Sequence, residues 1–428
     1  MRGRLNLFQA AMLRWRQIHP YNAVHVLAID GVCDVERLRS TIGATLAARG
    51  LTGLTLDRRR RRYEYQGGPP EVELERVNTN GDANEAVRAA IELRLNRPFP
   101  SDGAIMPFRF FFLEDPPRFR LGLAYDHFAA GGDAIVALLA DIVARYEDRE
   151  PAGPVPVLYP PTFAPLVRRE AGAFVRGVPW LAQVVKSCRR GVRPRYRDDA
   201  DGHNSFIALR IDKAALARLL AQARRWGVTF NDILLALLFD ALATQLPTRP
   251  RASRRNEIAV ASIVNLRGEA GFDTRTTFGQ FLSSMRLSHP VPAGVTLESL
   301  ARDVHRETVR VKVRKLYLQN LFTVAVNAMV WHFLNAKQRR RLYAKAYPVL
   351  AGLSTLNVDA IWRGTDGGPP PRDYLRAVPT GPVAPLVVAA TTSGNVLQLG
   401  LSYRRSSAFA PDIDRIADAL ARGIQSIK

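Results

Sequence analysis

Six prolines lie between Glu150 and Pro165 and separate the first part of the chain from the rest. Proline has no backbone N–H and cannot continue a helix or a sheet interior, so this segment is predicted to be an extended linker. A chain of 428 residues also suits two domains of about 200 residues better than one core. The sequence therefore predicts an N-terminal lobe over 1–150, a linker with a basic helix over 151–200, and a C-terminal lobe over 201–428.

Helical and strand-like apolar patterns follow one another in both lobes, which indicates two mixed α/β lobes. Predicted helices are Leu5–Ile18, Asp34–Ala48, Glu85–Leu95, Ala134–Tyr146, Arg168–Lys186, Lys213–Trp226, Phe230–Leu246 and Pro411–Ile424. Predicted strands are Ala23–Ile29, Arg61–Tyr65, Phe108–Leu113, Phe119–Tyr125, Ser205–Ile211, Glu257–Val264, Phe281–Leu287, Leu386–Thr391 and Val396–Tyr403. The helix from Phe230 is apolar nearly all round, with Thr229 as its cap, and should be buried.

The formal net charge of +22 is the unusual feature of the composition. Such a charge suits nucleic acid, anionic lipid, an acidic protein or a phosphate-bearing cofactor, and a GC-rich genome that favours arginine also accounts for much of it. The basic runs are scattered and belong to no recognisable nucleic-acid module. We therefore expect no nucleic-acid partner.

The start of the chain has no long apolar segment after its charges, which does not support a signal peptide. The longest apolar run, 321–336, contains Asn327, His332 and Asn335, so it does not resemble a membrane span. Cys33 and Cys188 lie far apart, with neither a disulfide framework nor metal-ligand spacing. We expect a cytoplasmic protein without a metal site, whose closest contact with the inner membrane would be peripheral.

One short segment carries a chemical signal, His127-Phe-Ala-Ala-Gly-Gly132. It places an imidazole between a predicted strand and a helix, on a turn that ends in two glycines. A neutral imidazole titrates near physiological pH and suits the role of general base. We expect no such role for the other histidines, which are His19, His25, His203, His289, His305 and His332.

The order of motifs along the whole chain resembles the superfamily of peptide-synthetase condensation domains, plant BAHD acyltransferases and wax ester synthase/diacylglycerol acyltransferase-like enzymes. Its signature is two adjacent histidines, three residues, then Asp-Gly. Asp126 stands at the first histidine position, His127 at the catalytic one and Gly132 at the glycine. The other segments that match are Pro20–Asn22 with Asp30-Gly31, Arg97–Phe99 with Met106–Arg109, Thr229–Asp232, Val264–Arg267, Phe278–Phe281 and Leu353–Asn357.

The resemblance implies an α/β (α+β) fold of two chloramphenicol-acetyltransferase-like lobes that form a pseudo-dimer around an interlobe tunnel. It implies that His127 deprotonates an acceptor, a hydroxyl or less favourably an amine, as the acceptor attacks a thioester. The donor would be acyl-CoA or an acyl-carrier protein, and the acceptor a small molecule or lipid alcohol. It implies no tightly bound cofactor, and Phe278, Gly279 and Gln280 would form the loop between the lobes. Such a chain encloses its own tunnel and could work as a monomer.

One position departs from this pattern, since Gly131 stands where the superfamily has aspartate. That aspartate pairs with an arginine of the other lobe, whose place Arg267 occupies here. An unpaired buried arginine is costly, so we expect Asp133 or Asp126 to approach Arg267 instead. The backbone N–H groups of the glycine turn could stabilise the tetrahedral oxyanion. The opposite interpretation is a decayed motif in a non-catalytic relative.

Three further alternatives remain open at the level of the sequence. The chain could be a stand-alone condensation enzyme that joins carrier-bound intermediates rather than a maker of esters. Arg254, Arg255, Arg267 and Arg275 are candidates to steer an anionic donor, although a solvated surface arginine is the better interpretation for each of them. The stretch 316–350 predicts a core helix, with insertion of its apolar face into a membrane surface as the alternative.

Overall fold

A computed structural model describes residues 1–79, 81–150, 157–159, 163–245, 254–273, 276–363 and 368–427. The strands are β1 Arg2–Arg4, β2 Asn22–Asp30, β3 Leu54–Asp57, β4 Arg62–Tyr65, β5 Leu74–Arg76, β6 Gly103–Ile105, β7 Phe108–Asp115, β8 Arg118–Asp126, β9 Val157–Leu158, β10 Asn204–Ile211, β11 Ile258–Asn265, β12 Thr277–Phe278, β13 Leu282–His289, β14 Ala351–Asn357, β15 Tyr374–Ala377, β16 Leu386–Ser393 and β17 Val396–Arg404.

The α-helices are α1 Leu7–Trp15, α2 Val35–Ala48, α3 Ala83–Asn96, α4 Gly132–Tyr146, α5 Ala164–Arg169, α6 Ala171–Arg190, α7 Lys213–Trp226, α8 Phe230–Thr244, α9 Arg267–Ala270, α10 Leu297–Val313, α11 Gln319–Val330, α12 Ala336–Ala346, α13 Val358–Trp362 and α14 Ile413–Gln425. Short 3-10 turns occur at Leu316–Leu318, Trp331–Phe333 and Ala410–Asp412.

The N-terminal lobe is built on a five-stranded sheet in the order β15-β2-β8-β7-β5. Successive side chains of a strand point to opposite faces. Phe110 and Phe112 accordingly pack in the core that includes α2 and α4, while Phe111 packs with α3 on the other face. β2 and β8 are antiparallel from Asp30↔Arg118 to Asn22↔Asp126. This register places the end of the central strand β8 beside the start of β2, so the histidine that follows β8 lies at one end of the strands of this sheet.

The C-terminal lobe is built on a six-stranded sheet in the order β10-β17-β16-β14-β11-β13. Its main core contains α8 with α7, α10 and α14. Thr229 and Asp232 form a capping box at the start of α8, and nearly every apolar side chain of α8 is buried. The predicted buried helix and its cap are confirmed. The last residue of its predicted span, Leu246, lies outside the described residues.

Two connections cross between the lobes. β15 comes from the second half of the chain but pairs with β2, with Arg376 opposite His25. β12, from the second half, pairs in parallel with β9, so that Phe278 lies opposite Leu158. Residues 151–156 and 160–162 of the predicted linker lie outside the described part of the chain.

Two predicted helices differ from the structure. The basic helix predicted over Arg168–Lys186 is two helices, α5 and α6, which meet at Glu170. The apolar positions of the stretch 316–350 do not share one environment, because Leu318 and Leu321 are buried while Phe333 is 88% exposed. The prediction of one buried core helix here is therefore wrong in part. Helical spacing identifies an apolar face but does not say how much of it a neighbour covers.

No single helix in the described ranges is long and apolar enough to cross a membrane. α7 and α8 meet the requirement of length and composition only when taken together, and they are bent by 101° at their junction.

Candidate active site between the lobes

The His127 segment forms the turn between β8 and α4. β8 ends at Asp126 and α4 begins at Gly132, with Gly131 as its N-cap. A Cβ atom on Gly132 would lie 3.2 Å from Nη1 of Arg376 and 3.6 Å from the His25 ring. A side chain here would therefore need Arg376 to move by a few tenths of an ångström, whereas the distance to His25 is an ordinary contact.

His127 is 6% exposed and lines a cavity of about 230 Å³. The rings of Tyr21 and Tyr125 lie 5.5 Å and 5.8 Å from its ring. Among the described residues, Nδ1 is buried and forms no hydrogen bond of full geometry, and the ring makes a weaker polar contact with the backbone of Ala130. Burial lowers the pKa of His127 to about 4, the backbone of Ala130 opposes this shift, and the positive charge of Arg376 adds to it. The imidazole is therefore neutral at physiological pH, the state in which it can accept a proton.

Both lobes contribute to the cavity. Trp15, Tyr21 and His127 line it from the N-terminal lobe, and Asn265 and Leu353 line it from the C-terminal lobe. A group bound beside His127 would therefore lie between the lobes, as the resemblance implies for a tunnel.

Arg267 and Asp133 form a buried ion pair across the lobes. Nε of Arg267 donates to Oδ2 of Asp133 at 2.6 Å, and Nδ2 of Asn265 donates to the same oxygen at 2.9 Å. Arg267 and Asp133 are 3% and 5% exposed. Each buried charge thus has a partner of opposite sign, which offsets the cost of its desolvation.

Asp126 does not reach Arg267. It is 1% exposed and forms an ion pair with Arg16, which follows α1. Of the two carboxylates that the sequence offered to Arg267, the structure places Asp133 there and leaves Asp126 inside the N-terminal lobe.

The loop Phe278–Gln280 joins the lobes directly behind the histidine. The carbonyl oxygen of Gly279 accepts from the N–H of Gly131 and from Nη2 of Arg267, both at 3.0 Å. Nε2 of Gln280 donates to the carbonyl oxygen of His127 at 3.3 Å, and Phe278 is buried. The backbone on both sides of the motif is therefore fixed by residues of the C-terminal half.

A buried polar cluster lies under the His127–Gly132 segment and was not predicted from the sequence. Nδ1 of His25 lies 2.7 Å from the hydroxyl of Tyr374, and Arg376, on the same strand as Tyr374, is 2% exposed and lines the cavity. Burial lowers the pKa of His25 well below its usual value. The signal in the sequence was an arginine among the apolar residues of a short strand. The strand itself had no pattern long enough to predict.

Arg254 and Arg255, two of the arginines proposed to steer a donor, lie away from the cavity. Arg254 is exposed, and Nη1 of Arg255 donates to the carbonyl oxygen of Gly191 at 2.9 Å. Neither residue lines the cavity. Arg275 lies outside the described residues.

No family model matches this sequence, and no curated protein matches it significantly. Solved structures match it along the whole chain. The first condensation domain of the calcium-dependent antibiotic synthetase, in complex with a substrate analogue, gives a TM-score of 0.70 at 14% identity and covers 100% of this chain and 98% of its own. The condensation domain from the Monacolin K polyketide synthase MokA gives a TM-score of 0.69 at 12% identity and covers 100% and 98%.

A third match is the starter condensation domain of rhizomide synthetase, solved as a mutant with C8-CoA and Leu-SNAC. It gives a TM-score of 0.65 at 14% identity and covers 99% of this chain and 93% of its own. These matches confirm the fold that the motif order implied. The chain has the two-lobed fold of condensation domains.

Proposed function

We propose that this protein transfers an acyl group from a thioester to a nucleophile, with His127 as general base. The observation that carries the proposal is the position of His127, whose buried, neutral imidazole lines a cavity shared by both lobes of a condensation-domain fold. An acceptor in that cavity can lose its proton to the imidazole as it attacks the thioester carbonyl. Direct attack needs no covalent acyl-enzyme.

For the donor, we favour a thioester on the phosphopantetheine arm of a carrier protein over free acyl-CoA. The matching structures come from a polyketide synthase, an antibiotic synthetase and rhizomide synthetase, the last of which was solved with C8-CoA and Leu-SNAC. This supports the joining of carrier-bound intermediates in natural-product synthesis better than ester formation in lipid metabolism. The charge of +22 suits either donor, because both are anionic.

The chemical class of the acceptor, a hydroxyl or an amine, is a more specific part of the proposal. A hydroxyl would give an ester and an amine would give an amide, and the same base serves both. The interpretation as a non-catalytic relative rested on Gly131. That argument loses its physical basis, because Asp133 supplies the carboxylate that Arg267 requires.

The test compares wild type with His127→Asn, supplied with acyl-CoAs and acyl-carrier proteins together with alcohols and amines, and follows transfer by mass spectrometry. His289→Asn is the matched control, because His289 pairs with Asp303 away from the cavity. We expect turnover by wild type and the control, and a loss of roughly 100-fold or more in His127→Asn. Equal rates in all three proteins would reject His127 as the base. Wild type without turnover on any donor would leave a binding protein as the better interpretation.

We also propose that the protein acts as a cytoplasmic monomer that can touch an anionic membrane surface. Phe322, Met329 and Phe333 are exposed apolar side chains on and after α11. α12 follows them with the half-buried Arg339, Arg340 and Arg341, of which Arg341 pairs with Asp199. An apolar surface beside basic residues is typical of peripheral membrane contact. Sedimentation with phosphatidylserine vesicles but not with phosphatidylcholine vesicles would support this, and loss of sedimentation in Phe322→Ser/Phe333→Ser would locate the surface.

A further inference from the structure

Arg376 is a buried cation without a carboxylate partner. Its side chain is almost inaccessible, and no Asp or Glu in the described part of the chain forms a direct ion pair with it. The charge of Asp133 acts on Arg376 from nearby and raises its pKa, but that carboxylate is bound by Arg267. Nε donates to Oγ1 of Thr391 at 2.8 Å, and Nη2 donates to the carbonyl oxygens of Ser354 and Ala390 at 2.9 Å and 3.2 Å. Nη1 has no acceptor among these residues. Burial lowers the pKa of Arg376 to about 10, so the guanidinium remains charged at neutral pH.

The free end of this guanidinium faces the start of α4. Nη1 lies 3.2 Å from the position of a Cβ atom on Gly132, and Arg376, Gly132 and His127 line one cavity. The N–H groups at the start of a helix point outward and carry a partial positive charge. At the start of α4, the N–H groups of Gly132 and Asp133 have no acceptor in the described ranges, whereas that of Ala134 donates to Oδ1 of Asp133. Two independent sources of positive potential therefore meet beside the base.

We propose that Arg376 is a catalytic residue that, together with the first N–H groups of α4, binds the oxyanion formed at the thioester carbonyl. The proposal rests on the acyl-transfer function proposed above. A buried cation without a direct counterion is costly, because the nearby Asp133 is already paired with Arg267. Its presence at a cavity is best accounted for by an anion that occupies the cavity during the reaction.

The hydrogen bonds of Arg376 favour a single oxygen over a carboxylate. A carboxylate is bound by two parallel N–H groups on one side of the guanidinium. The Nε–Nη2 side is already occupied by Thr391, Ser354 and Ala390, and Nη2 has no hydrogen left for a fork with Nη1. Only the two hydrogens of Nη1 remain, which suits one oxyanion bound end-on.

Transfer of the acyl group from the thioester to the acceptor needs no further reactant. The acceptor forms a bond to the carbonyl carbon and its proton passes to the imidazole of His127. The carbonyl π electrons move to oxygen, where Nη1 of Arg376 and the α4 N–H groups stabilise the negative charge. The oxyanion then collapses, the carbon–sulfur bond breaks, and the departing thiolate takes the proton from His127.

The test measures the binding of two pantetheine analogues to the full chain by calorimetry. In one, a tetrahedral phosphonate replaces the thioester, and in the other a neutral ketone replaces it. Arg376→Met and Arg376→Lys are compared with wild type and with Arg94→Met, which removes a buried arginine that pairs with Glu75 outside the cavity. Circular dichroism and melting temperature identify variants that fail to fold.

We expect Arg376→Met to bind the phosphonate at least about 10-fold more weakly and the ketone within about two-fold of wild type, with Arg376→Lys in between. In turnover, kcat should fall by roughly 100-fold while KM stays nearly constant. If wild type binds the ketone but Arg376→Met weakens both analogues equally, the proposal for Arg376 is overturned and the proposed function stands. If wild type binds neither analogue, the proposed function is overturned and the role of Arg376 with it.

Discussion

Arg267 and Asp133 join the two lobes through a buried ion pair with an Nε–Oδ2 distance of 2.6 Å. The carboxylate comes from the first turn of α4, two residues beyond the position at which the motif of the superfamily carries it. The carbonyl oxygens of Thr277 and Gly279 accept the remaining hydrogen bonds of the guanidinium. The same interlobe contact is thus made from a different position in the sequence.

Replacing Asp133 by Asn should destabilise the protein by about 3 kcal/mol, because Arg267 would remain charged and buried without its counterion. Acyl transfer should fall as well, since the pair holds the start of α4 beside His127. The control is Asp141→Asn, which breaks the buried Arg49–Asp141 pair farther along α4. Chemical denaturation should show similar losses of stability for the two variants. Only Asp133→Asn should lose activity per folded molecule, and an equal loss in the control would assign the effect to general destabilisation of α4.

Restoring aspartate at position 131 should be harmful by itself. A Cβ atom on Gly131 would lie 2.7 Å from Oδ1 of Asp133 and 3.1 Å from Oε1 of Gln280, so the new carboxylate would meet two oxygen acceptors. The double variant Gly131→Asp/Asp133→Gly removes the closer of these two contacts and moves the charge to the position seen in the superfamily. Melting temperatures of wild type, Gly131→Asp, Asp133→Gly and the double variant complete a double-mutant cycle. We expect the double variant to exceed both singles, and a Gly131→Asp protein more stable than wild type would contradict the geometry.

The rate of acyl transfer should resist acidification. His127 must be neutral to accept a proton, and burial lowers its pKa to about 4. kcat/KM, which reports ionisations of the free protein, should therefore stay level from pH 7 to pH 5.5 and fall only as the pH approaches 4. Initial rates after brief pH jumps, with folding followed by circular dichroism, test this. A decline with a midpoint near 6.5 would mean that the imidazole is solvated rather than buried.

His19 should make the folded protein sensitive to acid. It is 2% exposed, and neither ring nitrogen has a hydrogen-bond partner within the described ranges. Burial, together with the charges of Arg404 and Arg340, lowers its pKa to about 3. Below pH 6.5 the unfolded chain binds a proton there and the folded chain does not, so this contribution to stability is complete above pH 6.5 and declines as pH falls.

Urea denaturation of His19→Phe should therefore lose less stability between pH 7 and pH 5 than wild type does, by roughly 2 kcal/mol. His332→Asn alters an exposed histidine and should follow wild type. Parallel pH curves for wild type and His19→Phe would show that His19 is protonated in the folded protein.

Local chemistry determined most of what could be predicted from the sequence. The predicted span of α7, Lys213–Trp226, agrees with the structure, and Asp34 caps α2 as expected by accepting from the N–H of Arg37. These features depend on neighbours within one or two turns. The position of His127 after a strand and before a helix is local in the same sense.

Features that depend on distant segments were not predictable. Nothing near residue 374 indicates that β15 pairs with β2, and the cluster of His25, Tyr374 and Arg376 exists only because of that pairing. The order of motifs along the chain predicted the two lobes and the cavity between them. It did not show which carboxylate would meet Arg267, because that choice depends on where Arg16 holds Asp126.

The pairing of β15 with β2 has a consequence for synthesis of the protein on the ribosome. Until residues 374–377 have been translated, β2 is an unprotected edge of the N-terminal sheet, with free N–H and C=O groups that can pair with another chain. At about 5–20 residues per second, that edge waits on the order of tens of seconds after β8 has been made. A nascent chain of this protein therefore has a built-in interval in which chaperones would protect it from aggregation.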